Sequence, residues 1–208
     1  MRKATRNVAA WLGLSAGLSG SGHGVYEMLQ GNTTPQAVVI ASIGPPCDPD
    51  AMWNACEPAM TIFPNFLVTG ILAVLLGFLV MLWSLLFVQR KYGGQGLILL
   101  SLLLLLFGGG FFPPLIGIVA GIAGLRINKP LPGKKPGRVL SGIGRLWPWP
   151  LVIFLAWIYG QLLIGHFFNA FMQQMMLFGV ALILVMLPLS VLSAGGHDRL
   201  VARAAQGD

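Results

Sequence analysis

Long apolar runs separated by short polar or basic stretches dominate the pattern along the chain. Neither 63–88 nor 147–168 contains a Lys, Arg, Asp or Glu residue. A helix that crosses the hydrocarbon core of a bilayer needs about 20 apolar residues. We therefore predict an all-α integral membrane protein, a single polytopic domain with six membrane elements at 8–29, 63–88, 96–110, 113–127, 147–168 and 171–192.

The third apolar stretch, 96–127, is interrupted by three glycines and two prolines between Gly108 and Pro114. A regular helix cannot continue cheaply here, because glycine is flexible and proline lacks an N–H donor. We predict that the chain reverses at this point, so that the third and fourth elements form a short hairpin. Each arm of about 15 residues would extend about 22 Å. Two short spans and a re-entrant hairpin are both consistent with that length.

Charge then decides the predicted orientation. Only 9% of the residues are charged, 13 basic against 6 acidic, whereas soluble domains carry about a quarter. With the reversal, every basic residue falls on one side, in 2–6, 90–91, 126–145 and 199–203. Positive charge marks the cytoplasmic side, so we expect a cell-membrane protein with both termini in the cytoplasm. The composition argues against a disordered chain and a nucleic-acid-binding protein.

The cytoplasmic loop 128–146 is predicted to be basic, flexible and extended, with contacts to anionic lipids in addition to the bilayer itself. The basic start of the chain also fits a signal peptide. Apolar character resumes beyond any cleavage point, however, so we expect the first element to be retained.

The predicted outer loop, 31–60, contains both cysteines of the chain, Cys47 and Cys56. Thiols oxidise outside the cytoplasm, so we predict a structural disulfide that closes this loop. The apolar segment 36–43 is too short to cross a membrane, and we expect an interfacial strand or helix there.

The first element carries small residues on one face, because Gly13, Gly17, Gly20 and Gly24 recur at helical spacing. Such a face allows close helix packing, and we expect it to contact either a neighbouring span or a second protomer or partner subunit. His23 and Glu27 lie one turn apart near the outer end of the same helix. At this spacing their side chains can satisfy each other.

Polar residues of later elements are predicted at the same level of the membrane. They suggest one outward-facing pocket roofed by the disulfide loop, with the candidate ligand-binding residues His23, Tyr26, Glu27, Gln161, His166, Gln173 and Gln174. His23, Glu27 and His166 are the candidate metal ligands, since two histidines and a glutamate suit a divalent metal. The simpler alternative is that these side chains bond to one another, to backbone or to water.

The sequence contains no enzyme signature. We therefore expect a non-catalytic accessory or assembly subunit, or a binder of a lipid or hydrophobic ligand. A small transporter or channel is an alternative, because such proteins use broken membrane helices at their binding sites. A metal- or quinone-dependent membrane enzyme centred on His23, Glu27 and His166 is the third.

Overall fold

The computed structural model describes residues 2–41, 56–131 and 137–205. These residues form eight helices and two short strands, in the order α1 (Lys3–Leu29), β1 (Val39–Ala41), β2 (Pro58–Met60), α2 (Phe66–Leu86), α3 (Gly93–Leu106), α4 (Phe112–Gly124), α5 (Arg138–Arg145), α6 (Trp149–Phe167), α7 (Asn169–Gln174) and α8 (Met176–Ala204).

Three helices in the described part of the chain, α2, α6 and α8, are long and apolar enough to cross a membrane. Helices α3 and α4 are apolar but shorter, with 14 and 13 residues. Helix α1 is long, with 27 residues, but glycine and serine dilute its apolar character. The predicted helical class with membrane-length apolar helices is confirmed. In the described residues, helix length and composition support three membrane crossings and not the six that were predicted.

The observed helices differ from two predicted elements at the C-terminal end. The element predicted at 171–192 is divided at Met175 into α7 and α8, and α8 continues to Ala204. The loop predicted to be flexible at 128–146 contains helix α5. The extension of α8 and the formation of α5 have one physical cause, because α5 packs on the extended part of α8. A Cβ atom on Gly196 would lie only 2.7 Å from the Leu140 carbonyl oxygen, so the two helices touch backbone to backbone.

The glycine face of α1 is used within the chain. Gly24 lies so close to α2 that an added Cβ would be 2.7 Å from the Gly70 carbonyl oxygen. Gly17, two helical turns earlier, packs against Gly77 in the same way. Gly20 packs against Leu104 of α3. Because α1 and α2 run antiparallel and share this seam, a neighbouring helix of the same chain covers the face.

The predicted reversal between the third and fourth elements is confirmed. Gly108 and Gly110 have positive φ angles of 86° and 76°, which favour glycine. Pro113 and Pro114 then lie in the first turn of α4, where the missing N–H costs nothing. The α3–α4 hairpin packs along α1, while α8 packs on both α1 and α6. The Ser15 and Tyr159 hydroxyls, 3.0 Å apart, join α1 to α6.

The segment predicted as an interfacial strand or helix contributes β1. It pairs antiparallel with β2, with Val39 opposite Met60 and Ala41 opposite Pro58. The chain after β2 then bonds to the α3–α4 turn, since the Gly108 N–H donates to the Met60 carbonyl at 2.8 Å and the Ile62 N–H donates to that of Leu106 at 3.1 Å. The loop between α1 and α2 therefore covers the end of the hairpin.

Candidate functional site

The Gly108–Gly110 turn rests directly on two ionisable residues of α1. A Cβ atom on Gly108 would overlap the Glu27 carboxylate, and one on Gly110 would lie 2.7 Å from Nε2 of His23. The two helical residues are four positions apart, so they present their side chains to the same turn. We call this corner, with the covering residues 57–62, the turn end of the molecule.

Glu27 is fully buried, with 0% of its surface exposed. Among the residues that the structure describes, neither carboxylate oxygen has a hydrogen-bond partner. The predicted mutual pairing of His23 and Glu27 is therefore wrong. Instead, Nε2 of His23 lies 3.4 Å from Oε2 of Glu57, and the His23 side chain is 6% exposed against 20% for Glu57. The partner comes from the covering loop, which is distant in sequence.

The other predicted pocket residues are spread over different surroundings. Gln161 of α6 is half-buried, whereas His166 is exposed with its ring edge-on to that of Phe167. In α7, Gln173 donates to Oδ1 of Asn169 at 3.5 Å, within its own helix. Tyr26 and Gln174 complete the predicted set, the first half-buried and the second exposed. None of these four later residues supplies a hydrogen bond to Glu27.

The predicted metal set also does not form. In the three described ranges, no group of three histidine, cysteine or acidic side chains is placed to hold a metal ion. His23 and Glu27 face the Gly108–Gly110 turn, while His166 is exposed beside Phe167. The predicted roof of the pocket includes Cys47, which lies outside the described residues, so its disulfide with Cys56 stays a prediction.

The opposite end of the bundle is organised by Asp198, a residue that sequence reasoning missed. Its carboxylate accepts hydrogen bonds from the Ala4 N–H at 3.0 Å, the Thr5 N–H at 2.9 Å and the Thr5 hydroxyl at 2.7 Å. These are the free amides in the first turn of α1, whose own N-cap residue provides no side-chain bond. Asp198 on α8 therefore caps α1 from 193 residues away.

The basic segments of the chain meet around this cap. Arg2 donates to the carbonyl oxygens of Lys129 and Pro130 at 3.2 and 3.0 Å. Burial lowers the pKa of the Arg2 guanidinium, and Arg199 lowers it further, against a smaller raising effect of Asp198. The guanidinium groups of Arg2, Arg126 and Arg199, which belong to three separate segments, are thus close enough to interact electrostatically.

The α2–α3 connection joins the same end. Arg6 donates to the Gln89 side chain at 3.3 Å, and the Asn128 amide donates to the Gln89 carbonyl at 2.8 Å. We call the region formed by 2–6, 89–91, 126–131 and 198–199 the basic end. No sequence signal other than the distribution of charge indicates that these segments touch.

Two adjacent cavities open at the basic end. One, of about 390 Å³, is lined by Arg2 and residues 127–131. The other, of about 360 Å³, is lined by Lys91, Gln95, Gly124, Leu125, Asn128 and Lys129. Asn128 and Lys129 belong to both, so the two cavities share one wall. Ammonium, amide and guanidinium donors beside apolar side chains can receive an anion attached to an apolar body.

No family model matches the chain, and neither a curated protein nor a solved structure is similar to it.

Proposed function

We propose that this chain is a non-catalytic, multi-pass membrane protein that binds an anionic lipid headgroup at its basic end. The membrane part of the proposal is supported by α2, α6 and α8, which are long and apolar enough to cross a bilayer. Their outward faces also carry exposed apolar side chains, such as Leu79 of α2, Leu163 of α6 and Leu184 of α8. A water-facing surface would not place apolar side chains in continuous stripes.

The proposed topology has six membrane elements, with α3 and α4 as two short spans. The α3–α4 hairpin runs beside nearly the whole of α1, because its turn touches Glu27 while the segment after α4 bonds to Arg2. A re-entrant hairpin that turned back at mid-membrane would not reach both ends of α1. The separation of the turn end from the basic end favours a full crossing by each arm.

The orientation follows from the same separation. The basic end unites cations that are far apart in sequence, and positive charge is retained on the cytoplasmic side. Both termini are then cytoplasmic in the cell membrane, and the turn end faces outward. On that side thiols oxidise, so Cys47 and Cys56 form a disulfide. Alkylation of the unreduced, denatured protein would then modify neither cysteine, whereas reduction would expose both.

One observation supports the headgroup site: Lys91 and Lys129 line the same cavity. Both residues border the ends of membrane helices, where a lipid phosphate lies. Gln95 and Asn128 add amide donors, and Leu125 adds apolar surface for the start of an acyl chain. A cation near an anionic surface contributes about 1 kcal/mol, so two contribute about 2 kcal/mol, or roughly 30-fold in affinity.

Native mass spectrometry of the detergent-solubilised protein tests this site. Phosphatidylglycerol and phosphatidylcholine are added at equal concentration to the wild type and to Lys91→Gln/Lys129→Gln. The matched control is Lys3→Gln/Arg138→Gln, which removes two exposed charges but none that line the second cavity. We expect the preference for phosphatidylglycerol to fall roughly 30-fold in the first variant and to persist in the control.

Equal losses in the two double variants would contradict a built site and would leave only a diffuse effect of charge. Competition by inorganic phosphate in place of lipid would show that the site recognises a free anion, which would also overturn the proposal. The acyl chain is part of the proposed ligand, so phosphate alone should displace little lipid.

A further inference from the structure

The turn end contains a buried acid that the proposed lipid site does not use. We propose that Glu27 is a proton-binding site, loaded from the solvent at the turn end through Glu57 and His23. The buried carboxyl holds the Gly108–Gly110 turn against α1 while it is protonated. This inference is independent of the headgroup site at the opposite end.

The first support is the environment of the carboxyl group. Glu27 is 0% exposed, and neither of its oxygens has a hydrogen-bond partner among the described residues. An ionised carboxylate in such a place loses its hydration without compensation, which is among the most costly arrangements in a protein interior. Charged side chains at membrane depth are retained when they are paired or functional. An ionised Glu27 would therefore need a positive partner bonded to it, and neither of its oxygens has a hydrogen-bond partner among the described residues.

The second support is the fit of the turn onto the carboxyl group. Gly108 approaches so closely that the single carbon atom of an alanine side chain would overlap Glu27. Its φ angle of +86° already favours glycine, so the backbone is shaped for this contact. A proton neutralises the carboxylate without adding volume, whereas a metal cation would need several oxygen ligands and space to hold them.

The third support is a chain of titratable groups that leads to the surface. Glu57 is partly exposed, and its Oε2 lies 3.4 Å from Nε2 of the buried His23. His23 lies one helical turn from Glu27 under the same turn. A proton taken up from water by Glu57 passes to Nε2 of His23. His23, which faces the same turn as Glu27, then gives up the proton to the buried carboxyl group and returns to neutral.

Few other titratable groups face the site. Tyr26 lies beside Glu27 on α1, and α2, α3 and α4 contain no ionisable residue in their sequences. Asp48 and Asp50 belong to the covering loop but lie outside the described residues. Glu27 is therefore the deep end of this chain of groups and Glu57 is its exposed end.

Infrared spectroscopy of the full-length protein in lipid nanodiscs tests the proposal. The wild type at neutral pH should show the carbonyl stretch of a protonated carboxyl group. That band should be lost in Glu27→Gln and in Glu27→Met and retained in Glu57→Gln, the matched control on the exposed acid. Absence of the band from the wild type, or its persistence in both Glu27 variants, would overturn the proposal.

Thermal unfolding provides a second readout. The folded state holds a proton on Glu27 that the unfolded chain loses above a pH of about 4.3. The wild-type Tm should therefore fall as the pH rises from mildly acidic to mildly alkaline, while Glu27→Gln and Glu27→Met should lose that fall. Both variants are neutral and close in size to the acid, so a failure of both to fold would contradict the proposal. A wild-type Tm that rises when NaCl replaces choline chloride would show a bound Na⁺, which would overturn the assignment to a proton.

Discussion

Removal of the Asp198 carboxylate is expected to release the start of α1 from α8. Three donors converge on this side chain, the N–H groups of Ala4 and Thr5 and the Thr5 hydroxyl, at 2.7–3.0 Å. The carboxylate is only 8% exposed, so water would not fully replace it. Because α1 packs against α2, α3, α4 and α8, a loose first turn would weaken the centre of the bundle.

The magnitude follows from the bonds that are lost. Loss of an N-cap costs about 1 kcal/mol, and each hydrogen bond to a charged group contributes about 1.5–3 kcal/mol. These contributions are not additive for one side chain, so Asp198→Ala should lower the free energy of unfolding by about 3 kcal/mol. Asp198→Asn keeps one acceptor oxygen and should lose about half as much. Thr5→Val, which removes the hydroxyl alone, should cost about 1 kcal/mol.

Titration with sodium dodecyl sulfate in detergent micelles, followed by tryptophan fluorescence, measures these differences. Lys3→Ala is the matched control, since Lys3 is exposed in the same helical turn, and it should change stability by less than about 0.5 kcal/mol. In a double-mutant cycle, Thr5→Val should cost little once Asp198 is Ala. If Asp198→Ala matched Lys3→Ala, or if the two sites were additive, the capping interpretation would be refuted.

Two further predictions concern helix contacts. Gly17→Val should lower the free energy of unfolding by more than about 2 kcal/mol, because its side chain would overlap the backbone at Gly77. Gly22→Ala, with open space around its Cβ position, should raise it by up to about 1 kcal/mol. Equal effects of the two substitutions in a thermal unfolding assay would refute the tight packing of α1 on α2. Tyr159→Phe should cost about 1 kcal/mol by removing the bond to Ser15, and no further loss is expected when Ser15→Ala is added.

The elements that could be predicted are those encoded locally. The apolar run of α2 and the reversal at Gly108–Gly110 depend on neighbouring residues, and both are observed. The glycine face of α1 was also visible from helical spacing alone. Helical spacing does not identify the partner of this face, because it indicates the shape of the face and not what covers it.

The candidate site was predicted only in part, since its contacts are not local. His23 and Glu27 were singled out, but the partner of His23 is Glu57, 34 residues away and beyond a loop that no periodicity describes. The sequence does not single out Asp198, because its capping role depends on the packing of α8 against α1 and no local sequence pattern indicates that contact. Gln161 and His166 share a predicted depth with His23, but equal depth does not bring side chains onto facing surfaces.

The sidedness of the basic end underlies the proposed topology, and it can be measured with an impermeant maleimide on intact cells. Tyr92→Cys, Gly137→Cys and Phe168→Cys would each be made with Cys47 and Cys56 replaced by Ser. The account predicts that the cysteines at 92 and 137 label only after the cells are permeabilised, whereas the cysteine at 168 labels in intact cells. Labelling at 137 but not at 92 in intact cells would mean that the α3–α4 hairpin crosses the membrane once, and this result would contradict the six-element topology.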